Sequence, residues 1–588
     1  MEPVGWVVLG VLVVVAVTEL APRVHVSAPL LLVLVGVVVS FLPAVPAISV
    51  DPRWVLGIVL PPLLYSAAVA MPTMDFRRDL TTISELSVGL VLLSTAVVGV
   101  VLTHLVPGIG LATGLAVGAV ISPTDAVATT IVRRARVSPR LVTVLEGESM
   151  LNDATALVLL RSAIAATAAT VTLWSVTGRF LWAVVSAVGI GWLVGRVNLS
   201  VRAQIGHPTV NVAISLVVPF VAYLPTEHLG GSGLVAAVTA GLVTGHDAPK
   251  RLRAQDRLNE QAVWRTLELL IESAVFLVMG LQLFGLVRDV RGEHGSLVRA
   301  LVVGVVAGSL VLVVRSLFVV PSLWLQRRRV RRGVQVRDKL SEAEGALAAR
   351  RAAERIQPRP PGMDTEQLEQ VRAARRTRLT RLRRLISDID YLAAESFGWR
   401  EGVLLVWAGM RGAVTVAAVQ SLPASTPSRS TLVLIGFVVA GGTLLLQGGT
   451  LPWLVRVLRL SRDPDADLAA ERMALHVELV AAVRARLDKP DLRRPDGSPY
   501  PEDMLDRARQ REAATVADPD LPEEEAREAS EQTRAQFRDL RLEILQARRA
   551  RLLRLRDEGA YSSQSLDQAL RVLDAEQIGV EMRGGSAG

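Results

Sequence analysis

The sequence predicts an all-α polytopic membrane protein, and three observations predict it. Long apolar runs recur through residues 1–325 and again through 401–460. Arginines and lysines collect in alternate connections between those runs. The two remaining stretches, 326–400 and 461–588, are dense in Arg and Glu instead. Lipid offers no partner to exposed backbone groups, so such runs must fold as helices, and the short alternating segments of a membrane β-barrel are absent.

Apolar segments fall at about 4–20, 28–45, 53–71, 86–107, 109–132, 143–170, 175–196, 209–226, 230–246, 262–287, 297–323, 402–421 and 429–459. At ~20 residues per crossing that gives about thirteen spans, with broken helices among them. Two places decide the count. Residues 209–246 are divided only by a short Pro/Gly-containing stretch, and 429–459 is long enough to break at Gly441-Gly442 or Gly448-Gly449. The first run, Val4 to Leu20, lacks a basic leader, and Ala21-Pro22-Arg23 is a poor cleavage site, so it reads as a span rather than a removed signal peptide.

With thirteen spans, one set of connections holds Arg23; Arg77 and Arg78; Arg133, Arg134, Arg136 and Arg140; Arg196 and Arg202; and Lys250, Arg251, Arg253 and Arg257. The other set holds few: Arg53, Arg288, Arg291, Arg299 and Arg429. The positive-inside rule then places the N-terminus outside and the C-terminus in the cytoplasm of a plasma (inner) membrane protein. Both charged stretches become cytoplasmic. The insertion 326–400 reads as two helices, Ser341 to Arg355 and Glu366 to Tyr391, parted by Pro358, Pro360 and Pro361. The tail 461–588 reads as helices near 467–487 and 520–557 with Pro-rich punctuation at 490–501.

Composition narrows the function classes. The formal charge of +9 belongs to topology-setting arginines, not to nucleic-acid binding, because no zinc-finger spacing or aromatic-rich basic motif is present. With no cysteine, disulfides, thiolate metal sites and thiol catalysis are excluded. No nucleophile or metal-hydrolase constellation marks an enzyme.

Charge inside the apolar segments carries the chemistry. A carboxylate at the bilayer midplane costs roughly 2.5–3.5 kcal/mol on insertion scales, so it marks an ion or proton pathway. Pro123 in Ser122-Pro123-Thr124-Asp125 breaks its span by removing an N–H and pushing Ser122 from helical angles. Asp125 follows the break, where it supplies charge or caps the next half-helix, and Thr124 adds a hydroxyl. In Glu148-Ser149-Met150-Leu151-Asn152-Asp153, Ser149 and Asp153 share one helical face, and Glu148 and Asn152 share the adjacent one. Oxygen ligands of this kind suit Na⁺ or Li⁺ rather than soft metals. Glu146 reads as interfacial. Arg411, central in its span between Gly409 and Gly412, needs an acid or helix-end carbonyls as partner. Glu268, Glu272, Arg315 and Arg161 read as structural ion pairs with one another.

Ile121-Ser122-Pro123-Thr124-Asp125-Ala126-Val127-Ala128, then Gly147-Glu148-Ser149-Met150-Leu151-Asn152-Asp153-Ala154, then Gly409-Met410-Arg411-Gly412, resemble the monovalent cation:proton antiporters of the NhaP/NHE type. Leu60-Pro61-Pro62-Leu63-Leu64-Tyr65 is similar to that family's third-span motif. The resemblance implies a homodimeric carrier built from inverted repeats, working with Na⁺ and H⁺ as substrates and no other cofactor. It implies Asp153 as the exchanging carboxylate with Asn152 beside it, an Asn-Asp pairing that goes with electroneutral exchange. Ser149, Glu148 and Thr124 follow as further Na⁺ ligands or supports, Asp125 as a neighbour, and Arg411 as a structural charge. Where many archaeal relatives carry Glu after the third-span motif, this chain has Ser66, so Arg411 must find another partner. The expected activity is Na⁺ (or Li⁺)/H⁺ antiport for pH and sodium homeostasis, with the tail as regulator. A K⁺/H⁺ antiporter of the same mechanism and a membrane sensor signalling through its tail are the rival readings.

Overall fold

The computed structural model of the chain describes residues 3–585 apart from 25, 44, 46–49, 169–172, 294, 357–364, 462–464 and 518–530. It divides into two compact units: Met1–Arg328 with Glu395–Arg462, and Arg329–Ala394 with Asp463–Gly588. Among the described residues the secondary structure is helical apart from one isolated bridge, Arg493 to Pro499.

Every apolar segment of the sequence falls on a helix or a pair of half-helices. In chain order these are α1 (Pro3–Leu20), α2 (Ala28–Ser40), α3 (Pro52–Ala70), α4 (Thr73–Leu105), α5 (Leu111–Ile121), α6 (Val127–Arg134), α7 (Pro139–Ala168), α8 (Leu173–Arg202), α9 (Pro208–His228), α10 (Gly233–Arg251), α11 (Ala254–Leu281), α12 (Leu283–Gly292) and α13 (Leu297–Ile356). After α14 (Thr365–Ala394) come α15 (Trp399–Trp407), α16 (Ala413–Gln420) and α17 (Arg429–Val457). Among the described residues, seven helical stretches are long and apolar enough to cross a bilayer by length and composition. Residues 209–246 form two helices, α9 and α10, while α17 runs unbroken past both Gly pairs through a π-helical turn at Leu444–Gly448.

Lipid solvates apolar side chains as well as protein does, so burial alone cannot hold such helices together. Close backbone packing at small residues does. Gly99 on α4 meets the backbone of α5 at Leu115, and Gly114 and Gly118 on α5 press back against Gly99. Gly36 on α2 and Gly280 on α11 make a second such crossing. The outer faces stay apolar and exposed, as with Leu301, Val305 and Leu317 on α13, which suits contact with acyl chains.

The second unit builds its own core. Val483 and Leu487 of α18 (Asp465–Leu487) pack with Met504 of α19 (Glu502–Ala517) and with Leu540 and Ile544 of α20 (Glu531–Glu558). The last helix, α21 (Ser563–Gly585), starts where Glu471 accepts the Ser562 N–H at 2.5 Å. α19 and α21 have no counterpart in the sequence reading. The α14 part of the insertion joins this unit, as Arg384 donates to the Asp557 carbonyl at 2.9 Å. The expected proline break at 358–361 and the start of the 520–557 helix lie outside the described residues.

Candidate functional site

Two interrupted helices meet in the membrane unit. The first break, Ser122–Ala126 between α5 and α6, falls at Pro123, which removes an N–H. Ser122 itself, expected to leave the helical region, keeps φ −71° and ψ −42° because its N–H still donates to the Gly118 carbonyl at 3.1 Å. Asp125 does cap the half-helix that follows, its Oδ1 accepting the Val127 N–H at 3.0 Å. The second break, Ala408–Gly412 between α15 and α16, replaces what reads in the sequence as one continuous span. Gly409 and Gly412 were its only signal. Its cause is tertiary: the Asp125 carboxylate occupies the space a Gly412 side chain would fill, and the Arg315 side chain packs against Gly409.

The breaks satisfy each other's backbone. Asp125 N–H donates to the Met410 carbonyl at 2.8 Å. The buried Arg411 guanidinium donates from Nε to the Ile121 carbonyl at 2.9 Å and from Nη2 to the Ser122 carbonyl at 3.1 Å, and its Nη1 reaches the Gly409 carbonyl. Arg411 N–H donates to Thr443 Oγ1 at 3.0 Å. A cation at the C-terminal end of α5 and beside freed carbonyls is stabilised by the helix dipole and by charge-assisted bonds. Arg411 thus takes the carbonyl ends as its partner, and Ser66 bonds elsewhere, donating to Glu268.

The acidic run on α7 separates into two faces. Glu148, 1% exposed, is gripped by Arg315 at both carboxylate oxygens, with Nη2 to Oε2 at 2.8 Å. Arg315 also donates from Nε to the Leu405 carbonyl at 2.8 Å. Thr124 Oγ1 donates to Glu148 Oε1 at 3.2 Å and accepts from Asn152 Nδ2 at 2.8 Å. Asn152 Oδ1 is buried without a partner among the described residues. Glu148, Thr124 and Asn152 therefore form one network with Arg315; the sequence reading leaves Glu148 and Thr124 as Na⁺ ligands or supports beside Asp153.

Asp153 lines a small pocket instead, with room for about one water-sized group. Val120 and Pro123 wall it from the first break, Ala156 and Leu157 from α7, and Val414 and Ala418 from α16. Asp153 is its one ionisable lining residue and Thr415 its hydroxyl. Asp125 stands within electrostatic reach of Asp153. Ser149 is buried one turn before Asp153 and does not line the cavity.

Other intramembrane charges pair differently from the sequence reading: Arg315 takes Glu148, Arg161 takes Glu227 at 2.5 Å, and Glu268 takes Ser66. Glu146, read as interfacial, contacts the largely exposed Arg133. The partners of Arg315 and Arg161 lie on helices remote in sequence, so spacing along one span cannot reveal them. Thr415 was also missed, because a lone Thr in an apolar helix carries no signal.

Known proteins resemble this chain in sequence and in fold. The sequence model of the sodium/hydrogen exchanger, transmembrane, matches residues 9–348. The chain belongs to the sodium/hydrogen exchanger family. An uncharacterised Na⁺/H⁺ exchanger of Mycobacterium tuberculosis (strain H37Rv) is 30% identical over 469 residues, covering 78% of this chain and 76% of the relative. A Na⁺/H⁺ antiporter of Aphanothece halophytica is 25% identical over 476 residues, covering 79% of this chain and 76% of that protein. The fold resembles the sodium proton antiporter MjNhaP1 from Methanocaldococcus jannaschii, with a TM-score of 0.55 at 15% identity over 78% of this chain and 99% of that one. As an exchanger-family member the chain is a multi-pass membrane transporter.

Proposed function

We propose that this exchanger carries Na⁺ against H⁺ across the plasma membrane, one for one, and that Asp153 is the group the two ions share. The observation that carries the reading is the position of Asp153 as the single ionisable residue lining the cavity beside the crossed helix breaks. A proton or a Na⁺ neutralises the carboxylate. Only the neutralised site crosses the barrier as the membrane unit rocks between its two openings. Asp125, within electrostatic reach of Asp153, and the unpartnered Asn152 Oδ1 are the further oxygens this reading assigns to the cation, with Ser149 one helical turn before Asp153. Glu148 and Thr124 act as supports rather than cation ligands, since Arg315 already engages both Glu148 oxygens. Arg411 holds the breaks together. The Na⁺ preference is supported by the names of the relatives, and electroneutrality by the Asn152-Asp153 pairing.

The protein works as a homodimer with its N-terminus outside, and the second unit regulates exchange from the cytoplasm. Proteoliposomes with an internal pH dye, challenged with Na⁺, Li⁺ or K⁺ and voltage-clamped by valinomycin, test the core of this. Wild type dissipates a pH gradient on Na⁺ addition at any clamped voltage, and Asp153→Asn does not. Robust Na⁺-driven proton flux in Asp153→Asn sinks the assignment.

A further inference from the structure

At the end of the apolar part of α13 and the start of α15, a group of side chains plays no part in the ion site. Trp324 and Trp399 are 53% and 66% exposed, each where an apolar helix meets polar sequence, the place indoles take at headgroup depth. Each carries an arginine on its ring: Arg328 Cζ lies 4.1 Å from the Trp324 centroid, and Arg400 Cζ lies 5.6 Å from that of Trp399. Neither guanidinium has a carboxylate partner among the described residues. The two helix ends are tied together, because Arg327 Nε donates to the Phe397 carbonyl at 2.9 Å. The acids of the neighbourhood are engaged elsewhere. Glu401 accepts the Gly398 N–H at 2.7 Å, Glu85 accepts the Ser322 hydroxyl at 2.8 Å, and Glu395 accepts the Ser138 hydroxyl.

We propose that this patch binds the headgroup phosphate of an anionic phospholipid in the cytoplasmic leaflet. Arg328 and Arg400 donate to the phosphate oxygens, with Trp324 and Trp399 against the glycerol and upper acyl chain. Stacking holds a planar guanidinium with its N–H edge free, which matches phosphate geometry. A soluble phosphate would leave the exposed indoles and the neighbouring exposed Leu325 uncovered, so the occupant is a lipid. Arginines serving orientation alone need no stacking and no meeting of two helix ends. The consequence is mechanical: α15 runs directly into the Ala408–Gly412 break, so a lipid fixed at its start bears on the segment that presents Met410 and Arg411 to the first break.

Retention of phosphatidylglycerol over phosphatidylcholine by the full-length protein in detergent, read by native mass spectrometry, is independent of transport. R328Q/R400Q weakens phosphatidylglycerol binding roughly thirty-fold, on the contribution of two arginines at a membrane surface. R328Q and R400Q singly each give part of that loss. R53Q/R299Q, which removes equal charge from exposed positions on other connections, leaves binding unchanged. In vesicles of equal parts phosphatidylcholine and phosphatidylglycerol, wild type exchanges at a rate different from that in phosphatidylcholine alone, and R328Q/R400Q shows no such difference. The proposal is overturned by wild-type lipid retention in R328Q/R400Q, or by an equal loss in R53Q/R299Q. It is also overturned if inorganic phosphate added to phosphatidylcholine vesicles reproduces the lipid effect.

Discussion

Glu148 and Asp153 lie on the same helix within a turn and a half of each other, and their surroundings are opposite. Glu148 is held by an arginine at both oxygens and by a threonine hydroxyl. Asp153 looks into a cavity lined otherwise by apolar side chains and one threonine. A buried charge with a well-formed partner is a piece of structure, because no ion can displace the partner without leaving it bare. A carboxylate with space in front of it is free to take a proton or a small cation. The resemblance in the sequence implies Asp153 as the exchanging carboxylate and leaves Glu148 as ligand or support; the side-chain partner gives a physical ground for separating their roles.

That contrast can be broken most directly by exchanging which acid is neutralised. Asp153→Asn abolishes exchange while leaving the thermal transition of the detergent-solubilised protein at or above that of wild type. Glu148→Gln does the reverse in kind. It strands Arg315, 1% exposed, without a counter-charge, and breaking such a pair costs about 3–5 kcal/mol. Thermal unfolding reports it as a large downward shift, and replacing Arg315 by Gln in the same chain restores part of the loss. Glu148→Gln with wild-type stability and no exchange would move the ion site to Glu148 and end the distinction.

The crossing of the two breaks is the next place to press. Any side chain at Gly412 must displace the Asp125 carboxylate. Gly412→Ala therefore reduces Na⁺-driven flux to a small fraction of wild type, whereas Gly442→Ala, where a Cβ meets open space, leaves it intact. Equal flux in the two variants would show that the second break tolerates movement away from the first.

Much of this fold was legible in the sequence, since apolar length and the 3.6-residue period act locally and Pro123 acts on its own backbone. The second break was not, because what packs against it is a carboxylate from the first break, almost three hundred residues earlier. The pairing of Glu148 with Arg315 was hidden for the same reason: along the chain, Glu268, Glu272 and Arg161 were equally plausible partners. The side of the site that faces Asp153 was readable because four-residue spacing fixes a helical face. Which of the two adjacent faces met the cavity depended on where α5 and α16 packed.

Thr124 joins the two faces and gives the subtlest test of their separation. Its hydroxyl donates to Glu148 and accepts from Asn152, so it couples the locked carboxylate to the residue next to Asp153. Thr124→Ser keeps both bonds and loses only a methyl, and exchange stays near wild type. Thr124→Val keeps the volume but leaves the Asn152 amide short of an acceptor, a loss of about 1–3 kcal/mol for a buried polar group. Because the Thr124 carbonyl also accepts weakly from Asn152, at 3.4 Å, the amide is not wholly stranded and the lower end of that range is expected. If Thr124 only supports the network, Thr124→Val lowers stability with the apparent Na⁺ affinity little changed. A large rise in the Na⁺ concentration for half-maximal exchange, at unchanged stability, would instead make the hydroxyl a cation ligand and join the two faces into one site.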